Sequence, residues 1–155
     1  MTYVDSDGVL ADFAGWIESI KPGALSDNDE VYRILISHCD EAYLDFKEVE
    51  GSEFLFESIK TKDDWFVLTA VPNPKKLIPF KRDKDERALT EMFKENKYIW
   101  FEKHGIPRNK VIIVESAQDK ASFCKPGDIL YDDYRKNIAS WEKSGGIGIL
   151  TNPRG

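Results

Sequence analysis

The sequence predicts an α/β protein built on a doubly wound parallel sheet. Short apolar runs (Tyr3-Val4, Trp65-Phe66-Val67-Leu68, Val111 to Val114, Ile129-Leu130-Tyr131 and Ile147 to Leu150) alternate with stretches of helical periodicity. The run at Trp65 is continuously apolar, as expected of a strand covered on both faces. Polar groups with chemical potential, Asp5, Thr69 and Asp132, stand at the ends of such runs, where open α/β sheets collect ligands.

Thr2 to Asp5 is the first expected strand. After it, Phe13, Trp16, Ile17 and Ile20 recur at spacings of three and four, and Lys21-Pro22-Gly23 ends that helix. Ser26-Asp27-Asn28-Asp29-Glu30 supplies capping residues for a second helix that carries Val31, Ile34, Leu35 and His38. A third short helix is expected over Ser52 to Lys60. The strand at Trp65 to Leu68 is followed by Pro72-Asn73-Pro74. Asp83-x-x-Glu86 resembles a capping box, and the helix after it places Leu89, Met92, Phe93 and Trp100 on one face until Gly105. Lys110 to Val114 and Asp128 to Tyr131 are the third and fourth strands. A last helix over Tyr134 to Lys143, with Ile138 and Trp141 inward, ends at Gly145-Gly146 before the strand Ile147 to Leu150.

At 155 residues the chain is expected to form one domain with room for a small insertion. A formal net charge of -6 and a pI near 5.0 argue against long nucleic acid held on a broad basic surface, while a mononucleotide needs only a local positive site. Cys39 and Cys124 lie far apart and read as reduced thiols. No apolar run reaches membrane-spanning length, and the first strand begins almost at Met1, leaving no room for a signal segment. A cytoplasmic protein, monomer or homodimer, is the expectation. His38 and His104 show no partners in sequence and are expected on helix surfaces or in the core.

Tyr3-Val4-Asp5-Ser6-Asp7-Gly8-Val9 is the stretch that carries chemistry. Two carboxylates one residue apart repel unless a cation or proton intervenes, and Gly8 permits a sharp turn. Asp132-Asp133 poses the same problem after a second apolar run, so two such strand ends together could hold a hard divalent cation. A plain surface turn is the alternative for each pair taken alone. An EF-hand loop starting at Asp5 is excluded, because Val9 and Leu10 stand where an oxygen ligand and a glycine are required.

Asp5-Ser6-Asp7-Gly8-Val9-Leu10-Ala11-Asp12-Phe13 resembles motif I of the haloacid dehalogenase-like phosphohydrolases, and its second half looks like the deoxyribonucleotidase branch. Thr69 resembles motif II, Lys120 motif III, and Gly127-Asp128-Ile129-Leu130-Tyr131-Asp132-Asp133 motif IV, in the expected order. Ser6 and Ala70 depart from that branch, which has a bulky apolar residue and Gly or Ser at these places. The resemblance implies strand order 3-2-1-4-5, an α/β core over 1–13 and 61–155, and a small helical cap over 14–60. It implies a Mg²⁺-dependent phosphomonoesterase acting on (deoxy)ribonucleoside monophosphates through an aspartyl-phosphate. Asp5 would be the nucleophile and Asp7 the general acid and base. Asp5, the Asp7 carbonyl and Asp132 would bind Mg²⁺, with Asp133 replacing or supporting Asp132. Thr69 and the backbone at Ala70 would hold phosphate oxygens, and Lys120, or more weakly Lys125, would neutralise the transferring group. Trp16 and Phe46, with Phe54 and Phe56, are candidates to stack on a base. Arg135 and Lys136 read as charges at a helix start. The rival readings are a phosphatase for another small phosphoester or a nucleic-acid 3'-phosphate, and a non-catalytic phosphate-binding module.

Overall fold

A computed structural model of the chain describes residues 1–62 and 64–153. The strands are β1 (Thr2–Val4), β2 (Trp65–Ala70), β3 (Val111–Val114), β4 (Ile129–Asp132) and β5 (Ile147–Leu150). The helices are α1 (Phe13–Ile20), α2 (Asn28–Ser37), α3 (Ser52–Lys60), α4 (Pro74–Leu77), α5 (Glu86–Lys103) and α6 (Arg135–Lys143). The strands form one all-parallel sheet in the order β3-β2-β1-β4-β5, the expected doubly wound α/β arrangement. β1 is central. Val4 pairs in register with Val67 on one side and Tyr131 on the other, so the chain leaving β1 emerges between the ends of β2 and β4.

Successive side chains on a strand point to opposite faces, and the two faces have separate cores. Tyr3, Leu68 and Leu130 point toward fully buried Trp141 of α6. The Trp141 ring meets Tyr3 edge-on at 5.2 Å between centroids, and its indole N–H donates to the Asp128 carbonyl at 3.0 Å. Val4, Val67 and Val111 point the other way, into the larger core with Ile59 of α3 and Phe93 and Trp100 of α5. α3 also sets Phe56 edge-on against Trp65, at 5.5 Å. A smaller cluster of Ile17, Ala24 and Ile34 holds α1 to α2.

Local chemistry explains most helix starts. Asp12 accepts from the Gly15 N–H at 2.9 Å and Asp27 from those of Asp29 and Glu30, at the N-termini of α1 and α2. Three elements differ from the sequence expectation. α5 is capped by Asp85, which accepts from the Ala88 N–H at 2.8 Å, and not by Asp83. Its buried face runs through Leu89, Phe93, Lys97, Trp100 and Phe101, while Met92 is 40% exposed, because the 3.6-residue period carries position 92 off that stripe. The short helix α4 was also unexpected; Asn73 accepts from the Lys76 N–H at 3.0 Å and Pro74 occupies its first turn. Between β3 and β4 the chain forms a 3-10 helix over Ala117–Phe123, which carries Lys120. His38 and His104 terminate α2 and α5, and His104 stacks on Trp100 at 3.8 Å. No described helix is long and apolar enough to cross a membrane.

Glu115, just beyond β3, joins that strand end to α5. It accepts from Arg87 at 2.7 and 3.2 Å and from Lys94 at 2.6 Å, and these hydrogen bonds lower its carboxyl to about 2. A lowered folded-state value means that the carboxylate stabilises the fold above the ordinary carboxylate range, and that this stabilisation is lost as pH falls toward 2. Solvent around Arg87 screens the cluster, so its worth is about 0.5–1 kcal/mol. Glu115→Gln is expected to lower Tm by about 1–4 °C at pH 7, with the gap closing in acid and in 1 M salt, measured by thermal unfolding.

Candidate active site

β1 ends by delivering Asp5, only 5% exposed, whose backbone N–H donates to the Tyr131 carbonyl at 2.8 Å. The chain then turns tightly: the Ser6 carbonyl accepts from the N–H groups of Val9, Leu10 and Ala11. Gly8 sits in that turn at φ 83°, a left-handed conformation, and a Cβ there would collide with the Asp133 carboxylate. Two separate constraints therefore demand glycine. β4 ends with Asp132, fully buried, followed by Asp133, 4% exposed.

Lys120 lies between the two strand ends. Its Nζ donates to Asp5 Oδ1 at 2.8 Å and to Asp132 Oδ2 at 3.0 Å. Asp132 is further held by the Tyr134 N–H at 2.9 Å and the Asn137 side-chain amide at 3.1 Å. Burial works against the charge on Lys120, but Asp5 and Asp132 outweigh it and hold the ammonium above its ordinary value. Asp5 is pushed up to about 8, chiefly by burial; Lys120 pulls it down while Asp132, Asp7 and Asp133 raise it.

A second buried lysine, Lys97, lies outside the motif pattern of the sequence. It is 2% exposed, and its Nζ donates to Asp7 Oδ2 at 3.0 Å and to Thr69 Oγ1 at 2.6 Å. The ammonium also lies 4.8 Å from the Tyr43 ring centroid, a cation–π contact. Lys97 thus joins the ends of β1 and β2 as Lys120 joins those of β1 and β4. The signal was available: Lys97 falls on the apolar stripe four residues from both Phe93 and Phe101, where an unpaired charge would be costly.

The structure brings Asp5, Asp7, Thr69, Lys120, Asp132 and Asp133 to the carboxyl end of the sheet, with Ala70 closing β2 beside them. Asp7 Oδ1 is buried with no hydrogen-bond partner among the described residues. Phe46 is buried in an aromatic cluster with Phe13, Trp16 and Tyr43; half-buried Trp16 lies 5.2 Å from it. The hollow between Asp7, Tyr43, Phe46 and Lys97 has no room for a water molecule. Phe54 is 76% exposed and Phe56 packs on Trp65, both apart from this cluster. Lys125 is exposed, its backbone N–H bonded to Asp128, and Arg135 and Lys136 are exposed in the first turn of α6.

Asp5, Asp132 and Asp133 each offer a carboxylate oxygen within 4.8 Å of the others, the one such group among the described residues. All are buried oxygen donors, the set a hard cation prefers, and their mutual repulsion is the condition such a cation relieves. The residues present therefore fit a divalent ion. No protein-family model matches the chain, and no curated protein matches it in sequence.

Two measurements follow from this geometry. Gly8→Ala is expected to cost about 1–3 kcal/mol in stability from the left-handed backbone alone, read from denaturant unfolding, more if Asp133 is displaced. Mg²⁺ in excess of its Kd is expected to raise Tm by several degrees in the wild type, and Asp5→Asn to flatten that dependence on Mg²⁺ concentration.

Proposed function

We propose that the chain is a Mg²⁺-dependent phosphomonoesterase that works through an aspartyl-phosphate, with nucleoside monophosphates as substrates. One observation carries the reading. A buried carboxylate at the centre of a parallel sheet is bonded to one lysine, while the carboxylate two residues on is bonded to another. A structural salt bridge does not require this pairing, and buried ion pairs are weak sources of stability in their own right. In-line phosphoryl transfer uses every member of it.

In the first step Asp5 attacks phosphorus, an O–P bond forms to its carboxylate, and the bond to the ester oxygen breaks. Asp7 protonates that leaving oxygen. In the second step water attacks the same phosphorus, gives its proton to Asp7, and inorganic phosphate leaves as Asp5 is regenerated. Lys120 restrains Asp5 and neutralises the phosphoryl oxygens. Lys97 and Thr69 are placed to transfer their hydrogen bonds from each other and from Asp7 to an arriving phosphate, which frees Asp7 to carry a proton. Asp5, Asp132 and Asp133, with the Asp7 carbonyl that the family resemblance implies, would hold Mg²⁺, which supplies positive charge for the phosphoryl oxygens and keeps Asp5 ionised.

The nucleotide part of the reading rests on the resemblance of Asp5 to Phe13 to the deoxyribonucleotidase branch and on the aromatic cluster of Trp16, Tyr43 and Phe46 over the site. Because the hollow between Asp7, Tyr43, Phe46 and Lys97 has no room for a water molecule, a base enters it only as Tyr43 and Phe46 shift.

Phosphate release should be assayed on deoxyribonucleoside and ribonucleoside monophosphates, sugar phosphates and 3'-phosphorylated oligonucleotides, with Mg²⁺ or EDTA. Mg²⁺-dependent release from nucleotides is expected, abolished in Asp5→Asn and reduced about 10²–10³-fold in kcat/KM by Lys97→Met. Release from other phosphoesters alone would move the substrate class, and no release at all would favour a phosphate-binding module.

A further inference from the structure

An exposed run of cations follows the strand that ends at Thr69 and Ala70. From Pro74 to Lys84 there are five basic residues, Lys75, Lys76, Lys81, Arg82 and Lys84, against a single carboxylate, Asp83, in a chain whose formal net charge is -6. Lys75, Lys76, Arg82 and Lys84 are exposed and make no ion pair among the described residues. Lys81 alone is engaged, with Glu86 at 3.5 Å and the Lys84 carbonyl at 3.2 Å. Arg87 and Lys94 on α5 behave differently, both being paired with Glu115. Four cations without an ion pair in ten residues repel one another, a cost that an incoming anion relieves.

The segment is held firmly in place. Fully buried Leu77 pins α4 to the main core, and Phe80 stacks on Tyr32 of α2 at 5.8 Å with the Arg33 guanidinium 5.2 Å from its ring centroid. Phe80 and Tyr32 keep part of their surface exposed, and Ile78 is half exposed. Arg82 holds a left-handed backbone, φ 54°, where glycine or asparagine would be comfortable. The run also begins a few residues after β2, whose end carries Thr69. Lys75 is six residues beyond Thr69, which limits its Cα to about 20 Å from the phosphate-facing threonine. α4 follows the carboxyl end of β2, the same end of the sheet as Asp5 and Asp132.

We propose that the strip from Lys75 to Lys84, with the Phe80–Tyr32 stack, is a track for a short single strand of nucleic acid, whose terminal phosphate it leads to Asp5. The delivery half rests on the phosphatase reading; the binding half stands independently of it. Charges spread over this length of chain exceed what one phosphate can engage but match successive phosphates of a strand, and partly exposed aromatic faces beside them suit stacked bases. A single strand is favoured over a flat anionic membrane because Asp83 interrupts the strip, Asp85 and Glu86 follow it directly and the rest of the chain is acidic, so a narrow, flexible polyanion meets fewer carboxylates than a flat surface does. Whole-chain acidity still opposes long nucleic acid, and the track concerns only a few nucleotides.

The test uses the full chain carrying Asp5→Asn, so that hydrolysis does not interfere, with and without Lys75→Glu, Lys76→Glu, Arg82→Glu and Lys84→Glu together. The probe is a fluorescein-labelled ten-nucleotide thymidine oligonucleotide with a 3'-phosphate, followed by anisotropy from low to moderate salt. Expected is binding whose log–log salt slope is about -2 to -3, as for three or four neutralised phosphates, weakened at least about tenfold and flattened by the four substitutions. Thermal unfolding of the same variant verifies the fold. Binding that is absent, or equal in both proteins, overturns the track, and so does preferential binding to phosphatidylserine vesicles. In the active background the four substitutions are expected to spare mononucleotide turnover and to lower kcat/KM for the oligonucleotide about tenfold; equal loss on both substrates overturns the delivery role. Oligonucleotide binding without phosphate release from any substrate would leave the track standing and remove the phosphatase reading, whereas release without strip-dependent binding would do the reverse.

Discussion

The ammonium of Lys120, wedged between Asp5 and Asp132, is the interaction on which both the fold and the site depend. A parallel sheet with β1 at its centre places two strand ends side by side, and here each ends in carboxylates removed from water. Without a cation the ends of β1 and β4 would repel at a distance and in a medium where repulsion is strong. A lysine supplied by the 3-10 helix after β3 closes the gap, at a site more than a hundred residues along the chain from Asp5. Removing one partner from such a buried pair leaves an uncompensated charge, a loss of about 3–5 kcal/mol. The chemistry and the stability of the sheet's carboxyl end are in that sense the same interaction.

Lys97 repeats the device on the other flank. It neutralises Asp7, engages the Thr69 hydroxyl and lies against the ring of Tyr43, so the helix α5, the strand β2 and the segment after α2 meet at one ammonium. Tyr43 itself holds a left-handed backbone at φ 68°, and burial together with Asp7 keeps its phenol protonated, its pKa well above the ordinary range. The absence of space beneath Tyr43 and Phe46 follows from this convergence. On the proposed phosphatase reading, a phosphate would compete with Asp7 and Thr69 for Lys97 and so loosen the contacts that fill this space.

Sequence patterns that report on one strand or one helix were legible, and those that depend on the meeting of distant segments were not. The runs at Trp65, Val111 and Ile129 announced strands because continuous burial leaves a continuous apolar signature, and the Asp5, Thr69, Lys120 and Asp132-Asp133 positions were legible as a pattern spread along the chain. Lys97 was lost among Lys94, Glu95 and Asn96, because its partners Asp7 and Thr69 are 90 and 28 residues away. The cap of α5 was misplaced by two residues because Asp83 and Asp85 are both competent acceptors, and only the path of the chain after α4 decides between them. Met92 was misassigned for a related reason: four apolar residues near one stripe do not fix its phase until the packing partner is known.

Net charge illustrates the same limit from the opposite side. A formal charge of -6 describes a sum, whereas an anion responds to the potential where it docks. At the ends of β1 and β4 the chain gathers four carboxylates, Asp5, Asp7, Asp132 and Asp133, which would repel a phosphate, and it answers them with Lys97 and Lys120, both buried and both already bonded. Those two lysines neutralise the interior of the site and do little to draw an anion from solution. Attraction of a longer polyanion draws on cations that are exposed and uncommitted, and on the β2 side of the site these are concentrated between Lys75 and Lys84. The chain thus carries cations in two populations, one buried and bonded to carboxylates and one exposed and unpaired, and a composition average conceals both.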